Sequence, residues 1–239
     1  MTDIRVFGGP TALIEFGGLR FLTDPTFDPP GDYPRGDGRF LTKTAPSAID
    51  PAELGPIDVV LLSHDQHPDN LDRAGRELLT RVPLTLTTRS GAGRLAGTAR
   101  GLAPWESVAV KDVTVTAVPA QHGPPGCEPV TGEVIGFVLT GDGLPTTYVS
   151  GDNASLEVVR QIAARFPAID TAVIFAGAAR AGLFDNALLT LDSAMAAEAA
   201  AITKARRVVP VHCDSWAHFT EGCDEIGRAF EEAGLKDKL

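Results

Sequence analysis

The sequence predicts a layered α+β fold, because β-rich runs and helical runs interleave along the whole chain. The N-terminal third consists of short β-rich runs between turn signals, and Ala-rich or amphipathic helical runs follow later. The 239 residues are 44% hydrophobic and 22% charged, which is enough apolar sequence for a sizeable core and is ordinary for a globular protein. Since no low-complexity linker divides the sequence, we expect a single domain over residues 1–239.

The first predicted strands are residues 3–7, 11–16 and 19–24, and glycine-rich turn signals separate them. Residues 25–55 are rich in Pro, Gly and Asp, which predicts a long loop, and loops of this length are often functional. The run IDVVLL over residues 57–62 is continuously apolar, as expected for a strand that is buried on both faces.

The rest of the chain alternates between helices and strands. Asn70 or Asp72 is predicted to cap a helix that runs to about residue 81. Further strands are predicted at residues 83–87, 113–119, 134–140, 145–149, 171–175 and 207–211. Further helices are predicted at residues 155–166, 191–205 and 221–234.

The net charge of the protein indicates which classes of binding partner are expected. The formal net charge is −10, from 21 basic and 31 acidic residues, and no basic run interrupts it, so nucleic acid and anionic membranes are expected to be repelled. No apolar run approaches the roughly 20 residues that span a bilayer, and the N-terminus lacks signal-peptide features. We therefore expect a cytoplasmic protein that acts on a small molecule; self-association stays open.

The histidines are concentrated at predicted strand ends. His64 and His67 follow the strand at 57–62, His122 follows the strand at 113–119, and His212 ends RVVPVH, while Asp152 follows TTYVSG. A single such histidine is more often a partly buried surface residue, but four such strand ends in one chain favour a metal site. Imidazole and carboxylate ligands suit zinc, manganese, iron or nickel, and the three cysteines form no CxxC pair that would indicate a thiolate zinc site.

The segment HDQHPDN over residues 64–70 resembles the His-x-His-x-Asp-His signature of the metallo-β-lactamase superfamily. His122, Asp152 within SGDN and His212 resemble the later metal ligands of that family, in the same order. The runs LIEFGGLRFLTDP and HCDSWAHF resemble the branch that contains ascorbate-6-phosphate lactonase and N-acylphosphatidylethanolamine phospholipase D. The resemblance implies an αββα sandwich with metals at one edge, between two sheets.

The motif is one residue longer than the S-H-x-H-x-D-H-L-D often found in this branch. Alignment from the right places Asp65, His67, Asp69 and Asn70 at the ligand positions, whereas alignment from the left keeps His64 and requires a one-residue bulge. Imidazole is the better ligand for a borderline metal, which favours His64, with Asp65 as the alternative. In both registers Asn70 replaces a histidine, so we predict one tight metal and a second that is weak or absent.

The ligands that the resemblance implies, with both alternatives kept, are His64, Asp65, His67, Asp69, His122, Asp152 and His212. They would hold one or two divalent transition-metal ions, with zinc the first choice and manganese, iron or nickel the alternatives. Such a metal lowers the pKa of its bound water towards about 7. Asp69 would orient or deprotonate the nucleophile, and His218 would bind an anionic group or protonate the leaving group; packing against Trp216 and Phe219 is an equally good interpretation of His218.

The sequence therefore predicts a metal-dependent hydrolase that uses a metal-bound hydroxide on an ester, lactone or phosphodiester of a small molecule. The alternative is a non-catalytic or single-metal binding protein with a degenerate site on the same fold. Gln66 and Asn70, which stand in the ligand motif, favour that alternative. Metal content and hydrolysis of generic esters or bis-p-nitrophenyl phosphate would separate the two hypotheses.

Overall fold

Two six-stranded mixed sheets form the centre of the protein in the computed structural model, which describes residues 2–35 and 38–239. In spatial order, the first sheet contains β1 (Asp3–Gly8), β2 (Thr11–Phe16), β3 (Leu19–Thr23), β6 (Val59–Leu61), β7 (Thr85–Thr88) and β8 (Ala99–Leu102). The second contains β14 (Arg207–Val211), β13 (Thr171–Phe175), β12 (Thr147–Val149), β11 (Ile135–Gly141), β10 (Val113–Pro119) and β9 (Ser107–Val110). A separate hairpin pairs β4 (Gly31–Pro34) with β5 (Phe40–Lys43).

Both faces of the central strands are buried, and successive side chains enter different layers. In β13, Val173 and Phe175 belong to an apolar cluster shared by the two sheets, whereas Ala172 and Ile174 belong to a second cluster that includes the helices. This alternation follows from the two-residue repeat of a strand. It explains why such strands appear in the sequence as continuous apolar runs.

Helices cover the outer face of each sheet. The structure contains α1 (Arg73–Leu79), α2 (Arg89–Leu95), α3 (Glu128–Thr131), α4 (Leu156–Arg165), α5 (Ser193–Thr203) and α6 (Cys223–Glu232). Leu78 of α1 packs in a cluster with Leu13 of the first sheet, and Ile162 of α4 packs in a cluster with Ile174 of the second. The four layers are therefore helix, sheet, sheet and helix, as expected from the sequence.

The parallel strands direct the following loops to one edge of the sandwich. In the first sheet β3, β6, β7 and β8 are parallel, and in the second sheet β12, β13 and β14 are parallel. The residues just after these strands include Asp24, His64, Asp152 and His212. Loops at the carboxyl ends of parallel strands meet at the same edge, which is the usual place of a site in layered sheets.

Several elements differ from the predictions. The segment at 25–55, which was predicted to be a loop, contains the β4–β5 hairpin, and β8, β9 and α3 were not predicted at all. The strand at 19–24 ends at Thr23, and Asp24 turns the chain with φ 27°. None of the helices in the described part of the chain is both long and apolar enough to cross a bilayer.

Candidate metal centre

Two groups of metal-ligating side chains lie at this edge, between the sheets. The histidine cluster consists of His64, His67 and His122, and the carboxylate cluster consists of Asp69, Asp152 and His212. Within each cluster, the three candidate ligand atoms all lie within 4.8 Å of one another. Five of the six residues are buried, and His67 is partly exposed at the surface of the site.

In the histidine cluster, three ring nitrogens point to one place. His64 Nε2 lies 2.8 Å from His67 Nδ1, and His122 Nε2 lies 3.3 Å from the same nitrogen. Ligand atoms about 2.1 Å from a tetrahedral metal ion are about 3.4 Å apart, so the spacing of these nitrogens is close to that of a metal shell. The two loops that carry them follow β6 and β10, one strand from each sheet.

The other ring nitrogens of this cluster have hydrogen-bond partners that fix the ring orientations. His64 Nδ1 lies 2.9 Å from Ser63 Oγ, and His122 Nδ1 lies 2.8 Å from the carbonyl oxygen of Leu189. Ser63 Oγ in turn donates to Asp24 at 2.7 Å. Because a carbonyl oxygen can only accept a hydrogen bond, His122 Nδ1 carries the proton. His122 Nε2 therefore has the lone pair that a metal ion requires.

Burial keeps two of these rings neutral. Desolvation lowers the pKa of His64 well below its ordinary value and lowers the pKa of His67 to about 4, with neighbouring histidine charges acting in the same direction. A neutral imidazole is the form that binds a metal ion. The cluster is therefore ready to accept a cation at neutral pH.

In the carboxylate cluster, His212 lies between two aspartates. His212 Nε2 is 3.2 Å from Asp69 Oδ2 and 3.6 Å from Asp152 Oδ1, and His218 Nε2 is 3.0 Å from Asp69 Oδ2. The second oxygens, Asp69 Oδ1 and Asp152 Oδ2, are buried and hydrogen-bond to none of the residues described. Buried polar atoms rarely lack a partner, so these two oxygens point to a missing ligand such as a cation.

Both carboxylates are held in the ionised form. Burial raises the pKa of Asp69, but the rings of His218 and His212 outweigh it and hold that pKa well below its usual range. For Asp152 the opposing influences are burial and the charges of His212, His122 and His64, and the resulting pKa is again lowered. Burial lowers the pKa of His212, yet the two aspartates reverse the effect and raise it. Negative charge is thus concentrated beside the neutral histidine cluster.

Asn70 lies between the two clusters as a connector. Its Nδ2 donates to Asp152 Oδ1 at 3.0 Å and to Asp24 Oδ2 at 3.2 Å. Asp24 is fully buried, and desolvation raises the pKa of its carboxyl to about 7 despite the hydrogen bonds from Ser63. The side chain of Asn70 therefore orients two carboxyl groups, and its own Oδ1 is buried and hydrogen-bonds to none of the residues described.

The structure also separates His64 from Asp65, the alternative first ligand. The carboxylate of Asp65 is buried and accepts hydrogen bonds from Arg94, with Nε 3.0 Å from Oδ2, and its carbonyl accepts one from Arg76. It lies outside both clusters, whereas His64 lies inside the histidine cluster. The alignment from the left, with one extra residue, is the arrangement that this geometry favours.

The loop that carries His212 has an unusual backbone. His212 has φ 57°, and its carbonyl oxygen would lie 2.0 Å from a Cβ at Gly177. Phe175 and Phe219 contact the imidazole on its faces, with ring centroids 5.2 Å and 4.0 Å away. Left-handed backbone at a non-glycine residue is uncommon and gathers at functional sites, so the fold holds this ring in place at some energetic cost.

A narrow cleft lies over the two clusters, with a cavity volume of about 20 Å³. His67, His122, Asp69 and His218 form its polar floor. Its walls are Arg35, Leu41, Ala179, Ala181, Leu183 and Leu189. This volume is far below the range for small-molecule pockets, about 300–1,000 Å³, and it is enough for about one water molecule.

The residues present fit a divalent metal ion. The donors are imidazole nitrogens and carboxylate oxygens, the ring nitrogens have nearly the spacing of a coordination shell, and two buried carboxylate oxygens lack partners among the residues described. Every predicted ligand except Asp65 lies in one of the two clusters. His218 contacts Asp69, and it packs against Phe219 with ring centroids 4.5 Å apart, as the packing interpretation predicts, while its role toward a substrate stays a prediction.

The sequence interpretation did not identify Asp24 and Ser63 as site residues. Asp24 Oδ1 accepts from the backbone N–H of Ser63 at 2.6 Å, and this carboxylate contacts Asn70 as well. Asp24 follows β3, a parallel neighbour of the strand that precedes His64, and this position at the same sheet edge was the available signal. Its role here is to orient the residues that carry the ligands.

The sequence matches the family model described as Beta-lactamase superfamily domain over residues 19–213, a range that contains all six residues of the two clusters. The chain is also 30% identical over 181 residues to a UPF0173 metal-dependent hydrolase of Methanosphaerula palustris, with 73% of this chain and 76% of the relative covered.

Solved structures show the same fold. A possible metal-dependent hydrolase from Veillonella parvula matches with a TM-score of 0.86 and 16% identity, over 100% of this chain and 95% of that one. An isothiocyanate hydrolase from Delia radicum gut bacteria matches with a TM-score of 0.83 and 20% identity, over 100% of this chain and 94% of that one.

Proposed function

The chain belongs to the beta-lactamase superfamily as a metal-dependent hydrolase, and from this premise we propose that it cleaves an ester, lactone or phosphodiester bond of a small molecule. The observation that carries the proposal is the pair of ligand clusters beneath one small cleft. The net charge of −10 supports a small molecule over a nucleic acid as the partner. The runs LIEFGGLRFLTDP and HCDSWAHF support a place near the lactonase and phospholipase D branch.

The histidine cluster would hold the tighter metal ion. Its three nitrogens are preoriented and neutral, and zinc suits them best, with manganese, iron or nickel as alternatives. A metal ion bound there supplies Lewis acidity, which makes water a stronger nucleophile and polarises the bond under attack. Asp69, Asp152 and His212 would form a weaker second position, because Asn70 adds an amide connector where an imidazole ligand is expected.

Asp69 and His218 would carry the proton. Asp69 is ionised and lies on the cleft floor, so it can accept a hydrogen bond from the attacking water and orient it. The water oxygen bonds to the carbonyl carbon or phosphorus as the bond to the leaving oxygen breaks. His218 Nε2 donates to Asp69 Oδ2 at 3.0 Å, so it is placed to give its proton to the leaving oxygen and then to regain one from Asp69.

The test measures metal content and hydrolysis together. Protein purified without chelator is analysed for transition metals and is assayed with p-nitrophenyl esters, simple lactones and bis-p-nitrophenyl phosphate. We expect about one equivalent of tightly bound metal and hydrolysis of at least one substrate class. His218→Ala should keep the metal and lower the rate by about a hundredfold or more, in the range of a lost general acid.

Two outcomes would contradict the proposal. Protein without bound transition metal and without hydrolysis of all three classes would favour the non-catalytic alternative. Metal content that falls in His218→Ala as far as in His64→Ala would remove the distinction between the proton carrier and the ligands.

A further inference from the structure

Two of the three cysteines lie beside each other, next to the carboxylate cluster and outside the site described above. Cys213 directly follows His212 after β14, and Cys223 is the first residue of α6. We propose that Cys213 and Cys223 are a redox-active pair that peroxide converts into a disulfide, and that this disulfide weakens metal binding at the carboxylate cluster through His212. The redox chemistry is independent of the proposed hydrolysis, whereas the effect on the metal rests on the proposed metal site.

The two thiols are in direct contact. The side chains of Cys213 and Cys223 hydrogen-bond to each other. Their backbones are close as well, since a Cβ at Gly222 would lie 3.5 Å from the carbonyl oxygen of Cys213. Cysteines that already hydrogen-bond need only a small movement to reach the S–S bond length of about 2.0 Å. The fold therefore holds these two sulfurs where a disulfide can form.

A cavity at the surface gives a small oxidant access to the pair. Its volume is about 380 Å³, and its lining includes Cys213, Asp214, Ser215 and Cys223. Cys223 is exposed, whereas Cys213 is buried. Hydrogen peroxide is little larger than a water molecule, which occupies about 30 Å³ in the liquid, so the cavity can admit it.

Cys223 has the more reactive sulfur of the two. The hydrogen bond with the Cys213 thiol lowers the pKa of Cys223 to about 6, although burial and two nearby carboxylates act in the opposite direction. Those carboxylates belong to Asp214 and Asp224. The position of Cys223 at the start of a ten-residue helix also favours negative charge. Because the thiolate is the nucleophile in cysteine chemistry, Cys223 reacts first.

The oxidation takes two steps, and peroxide is the oxidant. The Cys223 thiolate attacks one peroxide oxygen, so an S–O bond forms, the O–O bond breaks, and the leaving hydroxide takes a proton from solvent to become water. The Cys213 sulfur then attacks the Cys223 sulfur, so an S–S bond forms and the S–O bond breaks. The second hydroxide leaves with the Cys213 proton, again as water. The two sulfurs together lose two electrons to the peroxide, and a dithiol reductant restores both thiols by exchange.

The disulfide would act on the carboxylate cluster because one peptide bond joins Cys213 to His212. The N–H of His212 donates to the Gly9 carbonyl at 2.7 Å, and Asp214 Oδ1 accepts from the Gly9 N–H at 2.6 Å. The residues on both sides of Cys213 are thus held against the turn between β1 and β2, and a shift of Cys213 towards Cys223 disturbs this arrangement. Ligands have to be held within about 0.5 Å of their productive geometry, so we expect the shift to weaken metal binding by His212.

The first experiment treats the reduced full-length protein with a small excess of hydrogen peroxide. We expect the three free thiols to fall to one, and peptide mass mapping to find Cys213 joined to Cys223 within one chain. Dithiothreitol should restore all three thiols. In Cys213→Ala the reaction should stop at a sulfenic acid on Cys223, which dimedone traps. Three thiols that survive the treatment, or a disulfide that joins two chains, would overturn the inference.

Cys127→Ser is the matched control for the thiol chemistry. Cys127 is 1% exposed and lies outside the cavity that Cys213 and Cys223 line. This variant should form the disulfide at the rate of the wild type, whereas Cys223→Ser should form none. Loss of the disulfide in Cys127→Ser would assign the reactive thiol to Cys127 and contradict the pairing of Cys213 with Cys223.

The second experiment titrates manganese ions into the reduced and the oxidised protein by calorimetry, after removal of reductant and peroxide. Manganese is the probe because carboxylates suit it, whereas thiolates select softer ions. We expect the disulfide to weaken manganese binding by about tenfold, and peroxide-treated Cys223→Ser to bind like the reduced wild type. Equal binding by the two forms would overturn the coupling to His212. If manganese affinity follows the disulfide while no ester, lactone or phosphodiester is hydrolysed, the proposed hydrolysis fails and this inference stands.

Discussion

The histidine cluster and the carboxylate cluster lie at the same edge of the sandwich, yet the protein holds them in different ways. His64 and His122 each have the ring nitrogen that faces away from the cluster bound to Ser63 Oγ or to the Leu189 carbonyl. His212 Nδ1, by contrast, hydrogen-bonds to no described residue, and aromatic packing together with the two aspartates positions the ring. The first cluster is therefore fixed by directional bonds, and the second by packing and charge.

The two clusters also differ in charge. Burial favours neutral rings in the histidine cluster, whereas Asp69 and Asp152 stay ionised because histidines lie beside them. A cation entering the first cluster meets preoriented lone pairs, and a cation entering the second must replace existing contacts among charged groups. We therefore expect the preorganised histidine cluster to bind a metal ion more tightly than the carboxylate cluster does.

Loss of a ligand from the histidine cluster should have the largest effect. His64→Ala removes one of three nitrogens from the tighter site, so we expect metal affinity and hydrolysis to fall by more than about a hundredfold, beyond the 10–100-fold of outer-shell changes. Elemental analysis and calorimetric titration measure the loss. Unchanged metal content in His64→Ala would show that the tight site lies elsewhere.

Asp152→Asn tests the carboxylate cluster. The substitution removes one charge from a buried carboxylate that lies 3.4 Å from His122 and 3.6 Å from His212, so we expect metal content and hydrolysis to fall by at least about tenfold. Asp142→Asn, in the exposed Gly-Asp-Gly turn, is the matched control and should change neither. If Asp152→Asn behaves like this control, Asp152 is only a turn residue.

Ser63→Ala tests the bracing of the first cluster directly. It deletes the hydroxyl that holds His64 Nδ1 and leaves every candidate ligand in place, so metal affinity should fall by about tenfold. Ser47→Ala, which removes a hydroxyl bonded to the Phe7 carbonyl outside the site, should leave affinity unchanged. Equal affinities in all three proteins would mean that directional bonds do not distinguish the clusters.

Asn70→His should reduce the difference in metal affinity between the two clusters. An imidazole in place of the amide connector adds a better ligand beside Asp152, so occupancy of the second position should rise, with the smallest change in total activity. Titration calorimetry would resolve the second binding event. Two equally tight metals already present in the wild type would contradict the role assigned to Asn70.

The sequence predicted the main strands, and six of the predicted site residues lie together in the two clusters, because both the strands and the polar residues after them have local signals. The run at 57–62 and the strand before His212 are continuous apolar stretches, and polar residues directly after them stand out. The β4–β5 hairpin was missed since each strand has only four residues, and β4, with the sequence GDYP, is largely exposed and rich in turn residues. The pairing of two such short strands depends on tertiary contacts, which the periodicity of apolar residues in the sequence does not reveal.

The inner arrangement of the site could not be predicted residue by residue. The choice between His64 and Asp65 depended on whether a basic side chain distant in sequence pairs with Asp65. Arg94, 29 positions away, donates a hydrogen bond to this carboxylate. Similarly, Asp24 reaches Ser63 across 39 positions because β3 and β6 are neighbours in the sheet. A strand register has to be known before either contact can be inferred.

Each ligand cluster draws on both sheets, and this has a consequence for how the protein is made. His64 and His67 follow a strand of the first sheet, whereas His122 follows a strand of the second. In the same way, Asp69 follows a strand of the first sheet, and Asp152 and His212 follow strands of the second. A nascent chain that has left the ribosome only as far as residue 121 therefore carries two of the three imidazoles, without the scaffold that would close them around an ion. Since a metal shell rarely exists before folding, the histidine cluster can close only after His122 has been made, and the carboxylate cluster only after the last strand, which precedes His212, is in place.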